Sequence, residues 1–214
     1  INDLCKFRIG VIDNNDPSFK TYIHFRAFLD GMDDSYSADW ASQKFSGRAE
    51  NLYNYQGFDR SVNLSWTVAA QSKEELMPMY RKLNYLASVC APSYSDDGYM
   101  RGNLIELTVG GYLFNQVGIM KGINYTVPME SPWEIGIKDT PSNALKTGGD
   151  PSVKELPMMI KVSGFQFIPI HNFVPSIQKN GYGGGDSDDT GDVTTYGDQR
   201  YIALSNKYSN NYEI

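Results

Sequence analysis

The spacing of apolar residues changes sharply at one point in the chain. Residues 61–68 alternate between small polar and apolar side chains, which predicts a strand with one polar and one apolar face. Over residues 76–90, apolar side chains instead recur at helical spacing. Ser72, followed by Glu75 three residues later, has the pattern of a capping box, so we expect the helix to begin here. A two-faced strand leading into an amphipathic helix indicates a sheet with one helix laid on it.

The same alternation predicts further strands. The hairpin signal Gly110–Gly111 separates two of them, and the Asp/Gly/Ser clusters at Asp30–Gly31 and Asp33–Ser35 are typical of turns or loops. Residues 40–55 fit extended chain with a bulge or turn at Gly47. The predicted strands lie within residues 5–11, 22–29, 104–109, 112–115, 117–127, 133–137 and 158–170. The expected fold class is mainly β with α (α+β).

Length and composition predict one domain with an extension. The chain has 214 residues, of which 41% are hydrophobic, enough for one large β-rich core. After Ser176 the composition changes to the Gly-rich run Gly181–Gly185 and an acidic tract that ends at Asp192. Such a tract buries too little apolar surface to order itself. We expect a β domain at 1–176 and an extension at 177–214 that partners order or that stays flexible.

The overall charge restricts the partners. A formal net charge of -6 opposes binding of phosphate backbones through a basic patch, so general nucleic-acid binding is not expected. Repulsion between an acidic protein surface and a polyanion does not exclude a polyanion that passes the protein without binding to it. No apolar run is long enough to cross a membrane and no signal peptide is visible, so no membrane partner is expected.

Residues for catalysis or metal binding are sparse. His24 lies within a predicted strand and His171 at a strand end, and neither belongs to a recognisable catalytic motif. Metal-ligand spacings are missing too, because Asp186–Asp189 lacks the terminal bidentate Glu of a calcium loop. Cys90 falls on the apolar stripe of the helix and is expected to be a buried thiol. We expect no enzyme activity, no catalytic residue, no cofactor and no metal.

Two arginines stand at predicted strand entries. Arg48 follows Gly47, and Arg60 follows Asp59. Either side chain is an exposed charge or a local ion pair, or it forms an intersubunit pair that sets the register of a ring, a role that suits bidentate Arg contacts. The residues alone leave both interpretations open.

Several segments together resemble a known family. In their order along the chain they are similar to the tail-tube-like baseplate proteins of contractile-tailed bacteriophages, and within that group to a tail tube cap or initiator protein. The resemblance covers roughly Phe7 to Pro175. It is carried by Tyr22–Phe28, Phe45–Glu50, Tyr55–Arg60, Ala70–Tyr80, Lys82–Leu86, Leu107–Tyr112 and Ser131–Ile135.

The resemblance implies a fold and a function. The fold would be two packed antiparallel sheets with one flanking helix, in a hexameric ring whose subunits complete a β-barrel around a channel. The ring would cap the central hub of the virion baseplate, initiate tail tube assembly and let DNA pass without specific binding. Its partners would be other copies of the chain, the tail tube protein and baseplate hub proteins. The protein would be part of the virion and would be assembled in the cytoplasm of the bacterial host.

Candidate surface residues follow from this interpretation. The polar strand face Ser61, Asn63, Ser65 and Thr67 is a candidate for the lumen or another solvent-facing surface. The candidates for the subunit interface are Arg48, Phe58, Arg60 and Trp133.

Two other functions are compatible with a β-rich chain. A carbohydrate-binding β-sandwich would use exposed aromatic residues as stacking platforms, and the chain has 15 Tyr and 3 Trp. A hydrolase on a β scaffold would need two opposed carboxylates or a nucleophile with a base beside it. The sequence does not show which carboxylates would pair, and it has no recognisable motif for a nucleophile and its base. The carbohydrate-binding module is the main alternative.

Overall fold

A computed structural model describes residues 5–131, 133, 156–171 and 201–202, apart from the side chain of Lys73. Seven strands form one antiparallel sheet in the order β2-β1-β7-β8-β9-β4-β3, and β5 and β6 form a separate two-stranded sheet. The elements are β1 Phe7–Ile12, β2 Lys20–His24, β3 Ala27–Gln43, β4 Leu52–Ala69, α1 Lys73–Ser88, β5 Ser93–Tyr94, β6 Met100–Arg101, β7 Leu104–Val109, β8 Leu113–Thr126 and β9 Met159–Pro169. The prediction of a mainly β fold with one helix is confirmed for this part of the chain.

The sheet curls so that its two halves face each other. β1 and β4 are four places apart in the strand order, yet the Phe7 ring of β1 lies 5.2 Å from the Trp66 ring of β4. The edge strands β2 and β3 are separated in sequence only by Phe25 and Arg26, and the ring of the buried Phe25 lies 6.0 Å from Trp66. The chain therefore passes from one sheet edge to the other at this corner. Instead of the two packed sheets expected, one continuous sheet supplies both layers.

Helix α1 begins where the sequence indicates. Ser72 is the N-cap, and its hydroxyl accepts a hydrogen bond from the Glu75 backbone N–H at 3.3 Å. In a capping box the Glu75 carboxylate would accept a hydrogen bond from the backbone N–H of the N-cap, Ser72. Here it accepts instead from the backbone N–H of Gln71, one residue before the N-cap. Leu83 and Leu86 of the helix are buried in the core of the curled sheet.

Two predictions from the sequence are wrong. Asp30–Gly31 and Asp33–Ser35, expected in turns, lie inside β3, where a register shift between Leu29 and Gly31 accommodates them. Pairing with β4 overrides their turn preference. Cys90 is exposed rather than buried; it lies beyond the end of α1 at Ser88, and the neighbouring Val89 is the residue buried in the core there.

Some predictions fall outside the described residues. This applies to the strand at 133–137, of which only Trp133 is described, and to the extension at 177–214, of which only Tyr201 and Ile202 are described.

β3 and β4 extend well beyond the rest of the sheet. β9 pairs with β4 only from Val62 to Ala69, whereas β3 and β4 remain paired as far as Gln43 and Leu52. Residues 35–43 and 52–61 therefore form a two-stranded hairpin, here called the arm, about 30 Å long at ~3.3 Å per residue. At its tip Gly47 has φ +88°, which confirms the predicted turn.

Candidate functional site

The arm has two different faces. Directly opposite residues share a face in an antiparallel pair, and the register joins Tyr36 to Arg60, Ala38 to Phe58, Trp40 to Tyr55 and Ser42 to Tyr53. We call Tyr36, Trp40, Tyr53, Tyr55 and Phe58 the aromatic face; these side chains are 41% to 64% exposed. The opposite face carries Ser35, Ser37, Asp39, Asn54, Asp59 and Ser61. The arm therefore presents a wide aromatic surface on one side and an acidic, hydroxyl-rich surface on the other.

A buried ion pair lies at the base of the aromatic face. Arg60 Nε donates to Asp34 Oδ1 at 2.9 Å, and Arg60 Nη2 donates to Asp34 Oδ2 at 2.6 Å. The two side chains are 1% and 4% exposed. A buried charge is stable only when it is paired and hydrogen-bonded, so this bidentate geometry is what allows Arg60 to face the interior.

Two tyrosine hydroxyls complete the shell of Asp34. Tyr36 and Tyr112 both donate to Asp34 Oδ2, at 2.8 Å and 2.9 Å. Burial alone would raise the pKa of Asp34, but the hydrogen bonds from Arg60, Tyr36 and Tyr112 outweigh it, and the pKa lies below its ordinary value. Burial and the bond to the Asp34 carboxylate raise the pKa of Tyr36 and of Tyr112. At neutral pH the carboxylate is thus ionised and both phenols are protonated donors.

Tyr201, from the C-terminal part of the chain, lies against this cluster. Its backbone carbonyl accepts a hydrogen bond from Arg60 Nη2 at 2.9 Å, and the guanidinium lies over the Tyr201 ring, 5.6 Å from its centroid. The Tyr201 ring makes edge contacts with Tyr36 at 5.8 Å, with Phe58 at 6.0 Å and with His171 at 5.0 Å. The site consists of an arginine, aromatic walls and a segment of chain resting on them.

His171 closes the other side of the cluster. Burial lowers its pKa, Arg60 lowers it further, and Asp34 opposes the change. The imidazole is therefore held neutral where it packs on Tyr201.

A second buried ion pair lies elsewhere on the sheet. Lys20 Nζ on the edge strand β2 donates to Glu106 Oε2 on β7, and the Glu106 side chain is 1% exposed. Nearby, Arg8 Nη2 donates to Asn115 Oδ1 at 2.6 Å and the Arg8 guanidinium lies over the Tyr22 ring. The Lys20–Glu106 pair joins the edge strand β2 to β7 across β1.

The interface candidates are distributed along the arm and beyond it. Arg60 forms its ion pair within the chain, which agrees with the local-pair interpretation of this residue. Arg48 is exposed in the loop at the arm tip, and Phe58 is on the aromatic face. Trp133 is 48% exposed. Phe58 and Arg60 thus come together at one site, while Arg48 lies at the far end of the arm.

The four lumen candidates share one face of β4, as predicted. Val62 and Leu64 are buried on the core side, whereas Ser61, Asn63, Ser65 and Thr67 lie on the opposite side and are half-buried or exposed. The Thr67 hydroxyl donates to Asp30 Oδ2 at 2.8 Å.

The sequence gives no sign of the Tyr36, Tyr112, His171 and Tyr201 contributions to the cluster. Tyr112 is 78 residues from Asp34 and Tyr201 is 141 residues from Arg60, so only the fold brings them together. The one local signal is that Arg60 falls on the apolar side of the strand alternation, in line with Val62 and Leu64. A charge in such a position needs an acidic partner nearby.

The described residues contain no cluster of metal-ligating side chains. Among residues 5–131 and the shorter described stretches, no group of three or more His, Cys, Asp or Glu side chains is placed to hold a metal ion. Within the same residues, α1 is too short and too polar to span a membrane, and no other helix does so. A comparison with protein-family models found no match for this chain, and neither did a comparison with curated protein sequences.

Proposed function

We propose that this chain is a structural virion protein of a phage baseplate or tail. Six copies form a ring that caps the central hub and initiates assembly of the tail tube, with a central channel through which DNA passes. The resemblance of the sequence suggests this role. The observation that carries it is the arm, because among the described residues it has only two strands and an exposed aromatic surface.

The arm is expected to be only marginally stable by itself. A two-stranded hairpin is marginally stable in water unless another layer covers it. Beyond Val62 the arm has no third strand among the described residues, and its exposed aromatic face is continuous with the core side of β4. A surface of this kind is typical of a protein–protein interface, where tyrosine and tryptophan are enriched. Neighbouring copies, the tail tube protein and baseplate hub proteins are the proposed partners.

The sheet edges support the same proposal. Among the described residues, β2 and β3 end the strand order and each has one unpaired edge, and β3 is 17 residues long. Long unpaired edges invite pairing with another chain, and a ring that joins sheets between subunits removes them. In the proposed ring, the edge strands of adjacent copies continue one another's sheet.

The polar face of β4 suits a channel wall. Ser61, Asn63, Ser65 and Thr67 carry no positive charge, and across the register Asp33 lies opposite Asn63 on the same face. Lys161 of β9 lies opposite Thr67 on this face and its side chain is 46% exposed, but its ammonium lies 3.6 Å from the Asp30 carboxylate. With a net charge of -6 on the chain, such a wall gives DNA little cationic surface to bind.

Imaging of the assembled full chain tests this function. We expect single-particle images of the purified protein, alone or with tail tube subunits, to show a six-fold ring with an open centre. A protein that stays monomeric at concentrations of tens of micromolar, with or without the tube subunits, would contradict the proposal.

The carbohydrate-binding alternative has one observation in its favour, the row of exposed rings on the arm. The Trp40 and Tyr55 rings, however, meet edge to face at 78° and 4.9 Å, so they do not form one flat platform on which a sugar could stack. Glycan-array binding by the full chain that Trp40→Ala abolishes would favour this alternative over the ring.

A further inference from the structure

The cluster around Arg60 holds a short piece of chain in the way a peptide-binding site does. Arg60 Nη2 binds the Tyr201 carbonyl, and the Tyr201 ring packs on Tyr36, Phe58 and His171. One backbone acceptor and one aromatic side chain are therefore recognised together. This combination of a hydrogen bond to the main chain and a pocket for a side chain is how proteins bind peptides in general.

One N–H group of Arg60 is available to donate a hydrogen bond to such a ligand. Its side chain is 1% exposed, and Nη1 has no hydrogen-bond partner among residues 5–131, 133, 156–171 and 201–202. A buried guanidinium donor without an acceptor is costly, so a further backbone or side-chain oxygen near Nη1 would stabilise the site.

The length of chain before Tyr201 allows the ligand to come from another copy. The His171 and Tyr201 rings are 5.0 Å apart, yet residues 172–200 lie between them in sequence. Fully extended, a linker of this length reaches roughly 95 Å. The linker is far longer than docking on the same chain requires, and it is long enough to reach an adjacent subunit of a ring.

We propose that the Arg60 cluster is an exchangeable docking site for the Tyr201 segment, and that in the assembled ring each subunit receives this segment from its neighbour. This delivery between copies depends on the ring proposed above, whereas the docking site itself does not. Exchange of identical segments is a low-cost way to join protomers, because the contacts made between copies are those already made within one chain. The occupant is thus a second copy of this chain.

Peptide binding in trans tests the docking site. The probe is a fluorescein-labelled peptide of residues 197–207, and anisotropy is measured with full-length protein. We expect the Tyr201→Ala chain to bind the peptide at least tenfold more tightly than the unaltered chain, whose own segment competes. A peptide that carries Tyr201→Ala should not bind.

A matched pair of variants locates the binding. In the Tyr201→Ala chain, Phe58→Ala should weaken peptide binding at least tenfold, because Phe58 contacts the Tyr201 ring. Tyr53→Ala removes another exposed ring from the same face, further along the arm, and should leave binding unchanged. The absence of saturable binding, or equal effects of the two substitutions, would overturn the docking site.

Cross-linking of mixed subunits tests delivery by the neighbour. Two chains that lack Cys5 and Cys90 are coexpressed with different tags, one with Ala38→Cys, opposite Phe58 on the same face, and the other with Ile202→Cys, and are treated with a short bismaleimide. We expect a covalent product that contains both tags. A six-fold ring that yields no mixed product overturns delivery and leaves the ring standing. A protein that never assembles overturns both, and peptide binding then stands or falls by its own measurement.

Discussion

Asp34 and Arg60 are joined by two hydrogen bonds diagonally across β3 and β4, next to the point where the arm leaves the sheet. Arg60 lies directly opposite Tyr36, and Asp34 lies opposite the buried Val62. A slip of one residue in this register would move Arg60 to the polar face of the arm and leave Asp34 without its partner. The ion pair therefore favours the observed register at the base of the arm, whereas beyond it the register shifts between Asp39 and Trp40.

Removing the carboxylate of Asp34 should destabilise the protein strongly. Asp34→Ala leaves the Arg60 charge buried without its partner, a loss that typically costs about 3–5 kcal/mol in the free energy of unfolding. Asp33→Ala is the matched control, because Asp33 is exposed on the other face of the same strand and should cost less than about 0.5 kcal/mol. Urea denaturation of the two variants measures the difference. Equal unfolding free energies would show that the pair does not hold the arm.

The parts of the fold that depend on neighbouring residues were predictable. The strand at 62–68 and the helix after Ser72 follow from periodicity and capping, and the β7–β8 hairpin follows from Gly110–Gly111. The placement of Asp34 inside β3 was not predictable, because its strand position depends on pairing with a residue 26 positions away. Local turn preference pointed the other way, and tertiary pairing decided the outcome.

The candidate site was predictable only in part. From the sequence, Phe58 was a candidate for the subunit interface, and Arg60 was either a local ion pair or a contact between subunits. The structure places them in one intrachain cluster because the curled sheet and the C-terminal segment bring Tyr112 and Tyr201 to the same place. Such contacts have no signature in local spacing, and neither does the order of strands in the sheet.

Two glycines of β8 should respond very differently to alanine. A Cβ on Gly118 would lie 2.5 Å from the Phe167 ring carbons and closer still to the Ile168 carbonyl oxygen, so β8 and β9 would have to separate. We expect Gly118→Ala to lower the free energy of unfolding by about 3 kcal/mol. Gly122 has no atom within 4 Å of its Cβ position, and Gly122→Ala should cost less than about 1 kcal/mol. Thermal or urea unfolding of both variants checks the contrast, which disappears if β9 is not packed on β8 at this point.

The stability of the protein should fall on mild acidification because of His171. Burial and Arg60 hold the pKa of His171 below its ordinary value of 6.5, against the opposing effect of Asp34. Below that value the unfolded chain binds a proton that the folded chain does not, so stability is lost as the pH falls from about 6.5 toward the lower folded pKa. The pKa of Asp34 is lowered from 3.8, so its contribution is lost at more acidic pH.

Unfolding free energies measured between pH 7 and pH 5 test this. We expect His171→Gln to reduce the slope against pH, because the titrating group is gone. Phe58→Ala is the control, since Phe58 packs on Tyr201 in the same cluster but carries no titratable group, so it should leave the slope unchanged. If both variants keep the slope of the unaltered protein, His171 is not its source.

The aromatic face should matter for assembly far more than for the stability of the single chain. Trp40→Ser combined with Tyr55→Ser removes a half-exposed cross-strand pair, and such pairs contribute about 0.2–1 kcal/mol each to a sheet. If these rings are buried against a neighbouring copy, their loss should raise the concentration needed for ring formation at least tenfold, as expected for aromatic residues at the centre of an interface. Sedimentation velocity over a concentration series measures this midpoint.

The opposite face of the arm provides the matched control for this double variant. Ser37→Ala combined with Asn54→Ser also changes one exposed residue on each strand of the arm, but on the polar face. We expect this variant to assemble like the unaltered chain and to unfold at the same urea concentration within error. Should both double variants assemble equally well, the aromatic face does not form the contact between copies, and glycan binding by the same proteins becomes the next measurement. Should both fail to assemble, the effect is not specific to the aromatic face.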